Sequence, residues 1–184
     1  MVKPSLVERA MSLANRLSYN NSCLDEVGEL LHVLVGHLQT GKIAEIGTGC
    51  GVSTAWMASA TSLDLFTVDR DVRTSSVVRD LFFDLPHVHP ILGEWEQILE
   101  EGPFRFVFVD AKPAKLAGVD RIVNATEVGG LICLDDFTPI EFWPEDWKGK
   151  QDRVRETWLH HPKLVAVELR TSLKTSVILA SRIL

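Results

Sequence analysis

Two sets of residues in this chain have types and spacings that could do chemistry. The first is three carboxylates, Asp110, Asp135 and Asp136, each following a short apolar, β-rich run (Phe106–Val109 and Leu131–Leu134). Parallel strands that end in acids bring them to one edge of a sheet, and converging oxygen ligands suit a hard divalent cation such as magnesium. The second is Glu45-Ile46-Gly47-Thr48-Gly49-Cys50-Gly51, an apolar run carrying an acid and then glycine at every second position. Glycine has no Cβ, so such a loop lets the backbone pass close under a ligand at the C-terminal edge of a sheet. Asp69 stands 22 residues after Gly47, at the end of the next apolar run, where it can accept hydrogen bonds from both ribose hydroxyls of a nucleotide-like ligand. The alternative is a loop acid beside the next helix, which Asp71 could cap equally well. Gly93-Glu94-Trp95 follows the third run. There an acid can take an exocyclic amine and an indole can stack on a base, or the two are a first-turn helix acid and a core side chain.

The elements that must position these residues read clearly from hydrophobic periodicity. Strands are predicted at Ile43–Ile46, Leu65–Val68, Val88–Leu92, Phe106–Val109 and Leu131–Leu134, with helical stretches near 52–60, 71–83, 94–100 and 114–127 between them. That alternation specifies an α/β fold, a doubly wound, Rossmann-like, mostly parallel sheet with helices on both faces. After a helix near 150–160, Leu164–Leu169 and Ser176–Ile183 are strand-like and joined by a few residues. So short a connection forces an antiparallel hairpin. Two amphipathic helices precede the glycine loop. One spans 4–18; the second follows the turn Tyr19-Asn20-Asn21, with Ser22 and Asp25 as its capping signal. No repeat or linker is visible, so residues 1–184 are read as one domain. Helices within 1–40 pack on its core, close its pocket, or meet a second copy in a homodimer.

Composition excludes several classes. With 184 residues, 46% of them hydrophobic, there is ample material for a core. A formal net charge of −6 with no Lys/Arg stripe argues against a nucleic-acid partner. Cys23, Cys50 and Cys133 show no metal or disulfide spacing and read as small buried hydrophobes in a reducing cytoplasm. No apolar run approaches the ~20 residues of a membrane span. The histidines do not pair at ligand spacing, and His160-His161 ends a helix, where it complements the dipole.

The loop has the form G-x-G-x-G, with Val52 where a dinucleotide-binding loop carries its third small residue. Together with Asp69, Gly93–Trp95, Val109-Asp110-Ala111 and Gly129–Asp136, it resembles the class I S-adenosylmethionine (SAM)-dependent methyltransferases. The likeness is to the small catechol- and caffeoyl-CoA-type O-methyltransferases, and it runs from about residue 22 to the end. The resemblance implies five parallel strands plus the terminal hairpin, a seven-stranded sheet. It implies SAM held by Glu45, Gly47, Thr48, Gly49, Gly51, Ser53, Asp69, Arg70, Gly93, Glu94, Trp95 and Asp110, with Glu45 and the glycine backbone at the methionine end. It also implies a small-molecule acceptor at Asp110, Asp135 and Asp136, with or without a magnesium ion.

The chain departs from that family in two places. Asp136 stands where the metal-binding trio has Asn. Pro113 stands where the general-base lysine belongs, leaving Lys112 and Lys115 beside it as substitutes; Asp110, Lys112 and Asp135 make the catalytic set. The carboxylates could instead be helix caps and a ligand for the cofactor's amino group. Beyond Asp136, Phe137, Phe142, Trp143 and Trp147 with Pro139 and Pro144 form either a rigid apolar wall of the acceptor pocket or a loop pinned to the body. The base N-methyltransferase signature is absent, since Asp110-Ala111-Lys112-Pro113 stands in its place. The reading is methyl transfer from SAM to a small molecule, most favourably at a hydroxyl oxygen. Its rivals are a SAM-binding module without turnover and an NAD-dependent oxidoreductase.

Overall fold

Seven strands join in one sheet in the computed structural model, which describes residues 2–184. They are β1 (Ile43–Ile46), β2 (Leu65–Asp69), β3 (Val88–Leu92), β4 (Phe104–Val109), β5 (Thr126–Phe137), β6 (Leu164–Arg170) and β7 (Ser176–Arg182), in the order β3-β2-β1-β4-β5-β7-β6. All neighbours run parallel except β7, antiparallel to both β5 and β6. This is the predicted sheet and hairpin. Chain order reverses between β1 and β4, and in an open α/β sheet the crevice beyond such strand ends is where ligands bind.

Both faces of the sheet are covered, which explains why its strands are apolar throughout. Ile43, Leu65, Phe106, Phe108 and Cys133 face one core, with α1 (Ser5–Arg16), α2 (Asp25–Gly36), α3 (Val52–Ala58) and α4 (Val72–Leu81). Ala44, Ile46, Val107, Val109 and Ile132 face the other, against a 3-10 helix (Trp95–Glu101) and α5 (Lys112–Ala117), α6 (Val119–Ala125) and α7 (Arg153–Leu159). Helix α1 buries Val7, Ala10, Leu13 and Ala14 in the chain's own core. No helix among the described residues is long and apolar enough to cross a membrane.

Three local expectations need correction. The helix predicted over 114–127 is two helices broken at Gly118, a weak helix former at a position where a Cβ would come within 2.8 Å of the Trp95 ring. Strand β5 begins at Thr126, five residues earlier than predicted, taking over the end of that helical stretch. Ser22 does not cap α2, whose N-cap is Leu24 with no side-chain hydrogen bond.

Candidate active site

The loop after β1 is held in a shape that its glycines permit. Gly47 has φ of +107°, and a Cβ on it would lie 3.1 Å from the Asp110 carbonyl carbon at the exit of β4. Gly49 has φ of +52°, with the Tyr19 hydroxyl 2.7 Å from where its Cβ would be. Left-handed backbone and close neighbours both select glycine here. The loop then enters α3 directly. Asp69 fastens it from β2: Oδ2 accepts the Gly49 N–H at 2.8 Å and Oδ1 the Asp71 N–H at 2.9 Å. Asp71 caps α4 by accepting from the Arg73 N–H, the helix-capping role that the sequence allowed it.

Beneath the loop lies Glu45, fully buried. It accepts hydrogen bonds from Ser53 Oγ at 2.5 Å, from Thr67 Oγ1 at 2.6 Å and from Thr54. Burial pushes its carboxyl up to about 7, with the three hydroxyl donors pulling the other way. Glu45 does not line the cavity, contrary to its expected ligand contact. It ties β1 and β2 to the start of α3, and so sets the loop's position.

A cavity of about 430 Å³ opens above this loop. Of the expected cofactor residues, Gly47, Thr48, Gly49, Ser53, Asp69, Arg70, Gly93, Glu94, Trp95 and Asp110 line it; Gly51 and Glu45 do not. Gly51 instead forms the N-cap of α3 in left-handed backbone, φ +78°. Trp95 is largely buried in the core beneath the Arg121 guanidinium and also reaches the cavity wall. Sequence reasoning found the turn between α1 and α2 but did not place its residues in the site. Tyr19, Asn21, Ser22 and Cys23 form one side of the cavity, and Ser22 Oγ is buried there with no hydrogen-bond partner. Burial and the nearby Asp69 push the Tyr19 hydroxyl up to about 12. The signal was available: a polar run, Tyr-Asn-Asn-Ser, between two amphipathic helices that both pack on the loop's side of the sheet.

The carboxylates of Asp110, Asp135 and Asp136 converge as expected, one oxygen of each within 4.8 Å of the others. Burial raises the Asp135 carboxyl to about 6 and raises that of Asp110 as well, against the pull of Lys115. The Lys115 ammonium lies 3.3 Å from Asp110 Oδ1 and donates to the Asp135 carbonyl at 2.8 Å. Lys112 is exposed at the start of α5. Of the two lysines beside Pro113, Lys115 is the one that reaches the cluster. Magnesium requires a near-octahedral oxygen shell at about 2.0–2.1 Å. The Lys115 ammonium competes with such an ion for an Asp110 oxygen.

A second cavity, about 540 Å³, adjoins the first and shares Asp110 and Asp136 with it. Lys112, Lys115, Leu116, Phe137, Trp143 and Trp147 are among its walls. The aromatic segment is both wall and pinned loop. Trp143 Nε1 donates to the Thr138 carbonyl at 2.9 Å, and the Trp147 ring meets Trp143 edge-on at 6.2 Å. Behind them the buried Arg155 guanidinium lies 5.5 Å from the Phe137 ring and 5.6 Å from Trp143. It also pairs with Glu168 at 3.0 Å and Asp152 at 3.4 Å.

Comparison with known proteins agrees with this arrangement. A family described as a methyltransferase domain matches residues 44–137, from β1 to the end of β5. No curated protein matches the chain in sequence. Among solved structures, a Klebsiella pneumoniae protein described provisionally as an O-methyltransferase is 24% identical, with a TM-score of 0.81 over 100% of this chain and 92% of that one. The O-methyltransferase TomG of Streptomyces achromogenes, involved in tomaymycin synthesis and solved with SAM, is 21% identical. Its TM-score is 0.81 over 98% of this chain and 91% of that one. A Bacillus cereus O-methyltransferase in complex with S-adenosylhomocysteine (SAH) is 20% identical, with a TM-score of 0.79 over 99% and 93%. At these identities the likeness is one of fold.

Proposed function

The chain belongs to the methyltransferase-domain family, and from that premise we propose that it moves a methyl group from SAM to a hydroxyl oxygen of a small-molecule acceptor. One observation carries the reading: a glycine-loop cavity and an aromatic-walled cavity meet at Asp110 and Asp136. A donor in the first and an acceptor in the second would face each other there. Fold likeness to O-methyltransferases solved with SAM and SAH supports the same assignment.

The first cavity suits an adenosyl amino acid. Its glycine loop is open where side chains would clash, Asp69 keeps carboxylate lone pairs for ribose hydroxyls, and Ser22 Oγ is an orphaned polar atom in the wall. Trp95 and Glu94 lie where a purine ring and its amine would sit. When bound, SAM supplies a methyl carbon on a cationic sulfur, open to displacement by an acceptor oxygen.

The chain's own contribution is placement and charge. Direct transfer needs the acceptor oxygen in line behind the methyl group, and holding two reactants in such geometry supplies much of the rate. The Phe137, Trp143 and Trp147 wall confines a flat acceptor and limits water. Asp110 lines both cavities, and its buried carboxyl binds a proton more readily than an exposed one, which suits it to accept the hydroxyl proton; Asp135 lines neither cavity. Three free cysteines suit a reducing compartment such as the cytoplasm.

The test is calorimetric titration of the full chain with SAM and SAH, with NAD as control. Screening of phenols and other small hydroxyl compounds by product mass follows. Micromolar binding of both methyl-cycle ligands with a methylated product is the expected result. Binding of NAD in preference to SAH would refute the proposal.

A further inference from the structure

We infer that Lys115 is the resident cation of the acidic cluster, standing in for the divalent metal that three converging carboxylates would otherwise attract. The observation is geometric. Asp110 directly follows β4, Asp135 and Asp136 lie near the end of β5, and one ammonium bridges the two strand ends through Asp110 Oδ1 at 3.3 Å and the Asp135 carbonyl at 2.8 Å.

This is no solvated surface lysine. Its side chain is 11% exposed, and that of Asp110 is 17%. A lysine ordered to this degree gives up rotamer entropy, so its interactions must outweigh that loss. The helix that carries it is held as well. Pro113 lies in the first turn of α5, and the fully buried Trp158 donates its indole N–H to the Lys115 carbonyl at 3.0 Å. Lys115 is therefore anchored at its backbone by α7 and at its ammonium by two strand ends.

An ammonium has three donor protons, and two have acceptors here. Lys115 also lines the aromatic-walled cavity, so the third is available to an acceptor oxygen. A hydroxyl beside a cation ionises more readily. That catalytic consequence rests on the methyl-transfer reading, whereas the charge role does not. The lysine lies two residues beyond the position at which the catechol-type enzymes carry theirs. Its reach across to β5 makes it a counterion for the cluster rather than a base at the cavity rim.

The experiment is manganese titration of the metal-stripped full chain, read by electron paramagnetic resonance, with SAH calorimetry on the same samples. The wild-type chain should show no stoichiometric site up to millimolar manganese. Lys115→Met should gain one site per chain, tighter than the wild-type limit by at least about 30-fold. That is the lower bound for removing a unit charge ~4 Å from a divalent ion in water-like dielectric. Lys115→Arg, which keeps the charge, should stay empty. A wild-type site that fills below millimolar manganese, and that Asp136→Asn weakens, would overturn the inference. So would a folded Lys115→Met chain that gains no affinity. The parallel arm separates the two readings: SAH binding with manganese uptake refutes the resident cation alone. Absence of SAH binding to the wild-type chain, with manganese uptake by Lys115→Met alone, refutes the cofactor assignment and supports the cation.

Discussion

Glu45→Gln should flatten the pH dependence of stability, because Glu45 is a carboxyl that the fold prefers protonated. Its ordinary value of 4.5 is pushed up to about 7 by complete burial, even with hydrogen bonds from Ser53, Thr54 and Thr67. The native state therefore holds a proton that the unfolded chain has released between those values. Stability from this group is fully present below about 4.5 and is lost as pH rises through 7. At about 1.4 kcal/mol per pH unit, the loss between pH 5 and pH 8 comes to about 2.5 kcal/mol. For a chain of this length that corresponds to roughly 5–10 °C in melting temperature. Glutamine keeps the size and one acceptor and cannot ionise. Its own effect on the hydroxyl cluster is a constant offset, and Asp110 and Asp135 tilt both proteins alike. Urea denaturation of wild type and variant at pH 5, 6, 7 and 8 isolates the term. The two curves should converge or cross by about 2.5 kcal/mol across that window. Parallel curves would show that Glu45 is ionised in the folded protein and would refute the reasoning.

Other perturbations test separate parts of the site. Asp69→Ala removes the acceptor for the Gly49 and Asp71 N–H groups, and SAH affinity by calorimetry should fall at least tenfold, about 1.4 kcal/mol. Trp147→Ala opens the second cavity at a half-exposed ring. It should raise the acceptor KM in a methylation assay, leave SAH affinity unchanged, and alter stability by less than about 1 kcal/mol. Arg155→Met leaves the Glu168 carboxylate without its cation and removes one of the two donors to the Thr138 carbonyl, and should cost about 3–5 kcal/mol in urea denaturation.

The elements and the cofactor end of the site were legible in the sequence. Strand positions, the terminal hairpin and the G-x-G-x-G loop all follow from local rules of apolar period, glycine conformation and connection length. For the same reason Asp69, Glu94, Trp95 and Asp110 could be placed at one sheet edge, since each directly follows a strand. Local pattern did not reveal contacts made between elements distant in the chain. The Trp95 ring, from another helix, leaves no room for a side chain at Gly118. Glu45 falls behind the loop because Ser53, Thr54 and Thr67 converge on it from two other elements. Tyr19 and Ser22 reach the cavity because α1 and α2 fold over the same face as α3. Lys112 and Lys115 look alike in sequence. In the fold Lys115 reaches the acidic cluster, with its carbonyl held by the Trp158 indole, while Lys112 stays at the surface. Periodicity and spacing thus determined which residues end their strands at the site. Packing across the sheet decided which of them touch a ligand, which hold the loop, and which cation the carboxylates keep.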